Sequence, residues 1–104
     1  MIYRIWKASA RSDRLNEYIR HLETETFPML RTISGFVEAV LLADSEAGAN
    51  EEVAVQVITV WNSEAAIKAF AGEDARAAVV PDVARAMMHH ADPRAEHFEL
   101  LLRA

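Results

Sequence analysis

The chain contains no cysteine, only three glycines and only three prolines in 104 residues. Without cysteine there is neither a disulfide framework nor a thiolate metal site, and a reducing compartment is the natural setting. The glycines stand alone at Gly35, Gly48 and Gly72, so no glycine-rich phosphate loop exists. Basic residues are few and scattered from Arg4 to Arg103, with 11 Lys and Arg against 16 Asp and Glu. That lacks the electrostatic footprint of a nucleic-acid binder. No apolar run approaches the roughly 20 residues of a membrane span. The opening MIYRIWKA is interrupted by Arg4 and Lys7, unlike the apolar core of a signal peptide. The expectation is a cytoplasmic protein without nucleic-acid or membrane partners, formed as a single domain over residues 1–104.

What is present is an apolar chain, 52% hydrophobic. Ile2–Ala8 alternates as a strand, with Ile2, Arg4 and Trp6 on one face. Ser12 reads as a helix N-cap with Asp13 in the first turn. Leu15, Ile19, Leu22, Thr26, Leu30 and Ile33 then recur at helical spacing, widened by Tyr18, Phe27 and Met29. Pro28 should kink or split this helix near Thr26. Gly35 closes it, and Phe36–Ala43 is a second strand. A polar loop over Asp44–Glu52, holding Gly48 and Asn50, leads to a third strand over Val53–Trp61.

Asn62 and Ser63 can cap the next helix, Ser63–Ala71, which carries Ile67 and Phe70 on one face and stops at Gly72. Helical segments are expected over Ala75–Val80 and from Pro81 to near His90, and a last strand over Glu96–Leu102. The order is β-α-β-β-α-β, a ferredoxin-like α+β fold with a four-stranded antiparallel sheet and both helices on one face. The third strand is apolar on both faces, so a second copy of the sheet is the expected cover, giving a homodimer.

Residues along the whole chain resemble a family. The start MIYRIW, the central TVWNSEAAIKAFAGED and the closing EHFELL look like the antibiotic biosynthesis monooxygenase superfamily, within a small bacterial subgroup. The resemblance implies a dimeric α/β barrel. It also implies several chemistries: cofactor-independent monooxygenases of aromatic polyketides or quinols, haem-degrading monooxygenases, isomerases and non-catalytic members. Aligned on Thr59-Val60-Trp61, the haem branch's axial histidine falls on Val80, its aromatic on Phe70 and its asparagine near Lys7. The ligand is missing, so no haem is expected. Relatives often carry two tyrosines where this chain has Val79 and Val80.

The candidate site follows. Trp6 and Trp61, placed at the ends of side-by-side parallel strands, are either core aromatics or walls of a flat apolar pocket, with Phe70 and Tyr18 as further substrate-binding residues. Arg4 on a central strand needs a partner. An Arg4–Glu99 pair with His97 nearby is either a register-fixing ion pair or a catalytic group. In the catalytic reading Arg4 stabilises an enolate or phenolate and His97 deprotonates a hydroxyl. His89 and His90, adjacent on a helix end, point apart and have no acid at i+4, so no metal site is expected. His21 reaches either the pocket or the surface.

The reading is a cofactor-independent monooxygenase acting on a small aromatic or quinol-like substrate. The alternative is a non-catalytic small-molecule-binding or stress-related protein of the same fold.

Overall fold

A computed structural model describes residues 1–46 and 51–104, so Gly48 and Asn50 of the predicted loop lie outside the described residues. Strand β1 spans Ile2–Arg11 and leads through a tight turn at Ser12–Arg14 into helix α1, Leu15–His21. Ser12 does not cap: its amide bonds the Glu51 carbonyl at 2.9 Å, which keeps the chain extended to Arg11. A wide helical turn, Leu22–Thr26, separates α1 from α2, Phe27–Leu30. Strands β2, Phe36–Ala43, and β3, Glu52–Trp61, form the central hairpin. Helix α3 is Glu64–Ala71, and its start is capped as expected, Ser63 Oγ accepting from the Ala66 amide at 3.2 Å. Helix α4, Asp82–Arg85, precedes β4, Met88–Ala91, and β5, Glu96–Glu99.

The sheet has five strands in the order β2-β3-β1-β4, with β5 also paired to β1. This corrects the expected four. β4 pairs with Ala8–Ala10 and β5 with Ile2–Ile5, so together they form one edge of β1, broken at Asp92-Pro93. Proline cannot donate to a ladder, and the break is held by the Trp6 indole, whose Nε1 donates to the Asp92 carbonyl at 2.8 Å. His89 and His90 consequently lie on an exposed strand rather than a helix end, and His90 Nε2 meets Asp92 Oδ1 at 2.8 Å.

A second correction concerns β1 and β3, which are antiparallel, not parallel: Ile2 faces Trp61, Arg4 faces Thr59 and Trp6 faces Val57. The two tryptophans are therefore offset along the sheet rather than level at one end.

Alternation sends Arg4, Trp6, Ala8 and Ala10 of β1 and Val53, Val55, Thr59 and Trp61 of β3 toward the helices, where all are buried. They pack on Tyr18, Leu22 and Leu30 of the first helical region and on Ile67 of α3. Ile19, expected in that stripe, is exposed, because the buried line runs through Tyr18. The opposite face presents Val40, Leu42 and Phe98, each roughly half exposed. No helix among the described residues is long and apolar enough to cross a membrane.

Candidate functional site

Arg4 and Trp6, beside Val57 and Thr59, form the floor of a partly open cleft of about 50 Å³. Tyr18, His21 and Leu22 roof it, Phe70 closes one side and Val79–Pro81 the other. That volume holds a few water-sized groups, whereas a benzene-sized ligand needs about 150 Å³. A single aromatic ring therefore enters only if part of it stays in the mouth or the Val79–Pro81 wall moves aside.

The roof owes its shape to Pro28. Having no N–H, it cannot donate to the carbonyl four residues back, and the helix widens over Leu22–Thr26 to longer-range turns. The Thr24 hydroxyl donates to the Arg20 carbonyl at 2.8 Å within the same stretch. The expected break near Thr26 takes this form, and it brings His21, Leu22 and Thr26 to the cavity together.

Arg4 is the charged group of the cleft and only 4% exposed. Its Nη2 donates to the Ala77 carbonyl at 2.6 Å, and its guanidinium carbon lies 5.5 Å from the centre of the Phe70 ring. The Ala77 carbonyl is placed by a strap of chain. Ala78 N bonds Pro93 O, Ala95 N bonds Arg76 O, and Arg94 grips Asp74 with two bonds of 2.7 and 3.1 Å. No carboxylate among the described residues pairs with Arg4, and its Nε has no hydrogen-bond partner. Burial pulls the guanidinium down to about 10, which still leaves it charged at neutral pH.

The other polar side chains of the cleft are Tyr18, His21, Thr26 and Thr59. Burial pushes the Tyr18 phenol up, so it remains protonated as a potential donor. His21 stacks against the Tyr18 ring at 6.5 Å, with Nε2 3.3 Å from the Thr26 hydroxyl. Thr59 Oγ1 accepts from Trp61 Nε1 at 2.8 Å, which leaves its own proton free to donate.

Of the residues singled out in the sequence, Arg4, Trp6, Tyr18 and Phe70 line one cleft. Trp61 does not. Opposite Ile2 in the antiparallel register, it is wholly buried behind Phe70, 5.8 Å between ring centres, and edge-on to Phe36 at 5.4 Å. The Arg4–Glu99 pair does not form, because the β1–β5 register sets Arg4 opposite His97 and Glu99 opposite Ile2. Glu99 instead accepts from the Met1 amino group at 3.2 Å.

His97 opens onto a separate cleft with Glu64 and Arg76, and its Nε2 is buried without a partner. Desolvation, followed by the charges of Arg4 and Arg76, lowers its pKa below the usual histidine value. Thr59 and Thr26 were not singled out; the phase that Thr59 shares with Trp61 was the signal for it. Val80, at the haem branch's ligand position, puts an apolar side chain on the cleft wall and offers no ligand atom.

No curated protein matches the chain. A crystal structure of a Bacillus cereus protein that carries the antibiotic biosynthesis monooxygenase name superposes with a TM-score of 0.56. The match covers 93% of this chain and 87% of that one at 16% identity, which is a likeness of fold. The family model for antibiotic biosynthesis monooxygenases matches residues 1–82, through β1, the central hairpin and α3. The chain belongs to the antibiotic biosynthesis monooxygenase family.

Proposed function

We propose that this chain is a cofactor-independent monooxygenase acting on a small aromatic or quinol-like substrate, working as a homodimer. The observation that carries the reading is a buried cation, Arg4, in a cleft otherwise walled by Trp6, Tyr18, Phe70 and aliphatic side chains. Such a cleft offers apolar faces to a flat ring held partly in its mouth and favours the ring's ionised form.

The substrate supplies the electrons. A ring hydroxyl loses its proton, and the phenolate delocalises charge onto a ring carbon. That carbon bonds one oxygen of O₂, and the resulting hydroperoxide, once protonated and relieved of its ring proton, releases water. Hydroquinone and O₂ would thus give hydroxybenzoquinone and water, with one oxygen atom retained. Arg4 holds the charge on the ring oxygen, 5.5 Å from the Phe70 centroid. We assign the proton to His21, which borders the cleft, rather than to His97, which faces the neighbouring one.

Homodimerisation is supported by the half-exposed apolar side chains of Val40, Leu42 and Phe98 on the uncovered sheet face. A second reading, ligand binding without catalysis, is favoured by the apolar Val79–Val80 wall, which brings no phenol to the cleft. An oxygen electrode separates the two. With hydroquinone and a chelator present, uptake above the protein-free rate, lost in His21→Ala, supports the monooxygenase. Binding of hydroquinone without uptake supports the second reading.

A further inference from the structure

Two buried side-chain atoms among the described residues have no hydrogen-bond partner, Arg4 Nε and His97 Nε2, and they belong to residues paired across β1 and β5. An unsatisfied buried donor on a charged group is expensive, and native structures keep few of them. A buried charge is normally paired with an opposite one, since desolvating it alone is costly. Arg4 has a carbonyl and a ring face but no anion. The stretch Ala47 to Asn50 contains no acidic residue to supply one. The fold has thus built a cation site whose counter-charge lies outside the chain.

We infer that the cleft takes a monocyclic aromatic acid as its anion, the acid group paired with the Arg4 guanidinium and the ring against Trp6 and Phe70. This rests on the reading of the cleft as an aromatic site and names the class of ligand within it. Three features select that class. The guanidinium presents planar donors, which match a carboxylate or an ionised ring hydroxyl better than a neutral amide. Phe70 and Trp6 offer apolar surface directly beside the charge. The roughly 50 Å³ of enclosed space admits part of a single ring and excludes a fused polycyclic system from sitting wholly inside. An ortho-hydroxy acid suits the site best, because it brings two adjacent oxygens to one guanidinium. Arg4 then serves binding before any chemistry, and the ring hydroxyl to be deprotonated stays under His21.

The test compares gentisate, a hydroquinone bearing a carboxylate, with gentisamide, its neutral counterpart of nearly the same shape. Both are titrated calorimetrically without oxygen into the wild type, Arg4→Met and Arg4→Lys. A preference of about tenfold or more for gentisate, abolished in Arg4→Met and reduced in Arg4→Lys, supports the inference. Equal binding of the two, failure of gentisate to bind at millimolar concentration, or a preference that survives Arg4→Met overturns it. Arg4→Lys keeps the test valid should Arg4→Met not fold: there an undiminished preference contradicts the role of the planar fork. Oxygen uptake with plain hydroquinone is scored separately. Uptake with hydroquinone but no preference for gentisate sinks the acid and leaves the monooxygenase standing.

Discussion

Arg4 and His97 sit opposite each other across the β1–β5 ladder, and each keeps one buried nitrogen without a partner. Two groups that can each carry a positive charge share one patch of sheet, and burial disfavours charge on either. The arginine remains charged, so the histidine yields. Its pKa is lowered first by desolvation and then by the Arg4 and Arg76 charges.

This arrangement fixes a pH dependence of stability. With a folded pKa below the unfolded value of 6.5, the native state binds fewer protons than the unfolded chain in the interval between them. His97 therefore leaves the fold intact above 6.5 and weakens it as pH falls from there toward the folded pKa. Melting temperatures across this range should decline less steeply in His97→Gln than in wild type. Identical slopes would contradict the placement of His97.

Arg4 is a buried charge without an anionic partner among the described residues. Arg4→Met replaces a buried, unpaired charge with an apolar chain of similar reach and should stabilise the fold by about 1 kcal/mol. In a domain of this size that is a rise of roughly 4–8 °C in Tm. The loss of the Ala77 bond works against the gain, so a fall in Tm would show that this bond outweighs the desolvation of the charge.

Gly35 lies at φ +92°, and a Cβ added there would come within 2.6 Å of the Ala66 Cβ. Gly35→Ala combines the left-handed penalty with a collision against α3 and should lose about 2–4 kcal/mol. Ala66→Gly removes the collision but not the backbone penalty. Denaturation of the double variant should show a favourable coupling of about 1 kcal/mol or more. Strict additivity would mean that the turn before β2 and α3 separate at this point.

The uncovered sheet face gives the prediction for assembly. Light scattering should report a mass twice the 11.6 kDa of the chain, and Leu42→Lys on that face should shift it toward the monomer. A monomeric wild type at micromolar concentration would contradict the homodimer.

Much of this architecture was legible because it rests on local patterns. β2 lies where its apolar run lies, Ser63 caps α3 as its side chain allows, and Pro28 breaks the first helix near Thr26. What escaped depended on pairing between distant segments. The MHHA stretch reads as a helix end, yet it is a strand because Arg11 and Trp6 of β1 bond the Met87 and Asp92 carbonyls on either side of it. The antiparallel register of β1 and β3 moves Trp61 out of the cleft and into the core, and the β1–β5 register replaces Glu99 by His97 beside Arg4. Alternation gives the face a residue takes, but not which residue of a distant strand stands opposite it. For the same reason Arg4, Trp6, Tyr18 and Phe70 could be picked out one by one, while the separation of His97 from them could not.

The most direct test of the account follows the oxygen itself. Hydroquinone is incubated with the chelated protein under isotopically heavy O₂, and the hydroxybenzoquinone formed is analysed by mass spectrometry. The account predicts one heavy oxygen per product, formed faster than without protein and at least about tenfold more slowly in His21→Ala. Product without heavy oxygen, or formed at the protein-free rate, would contradict it.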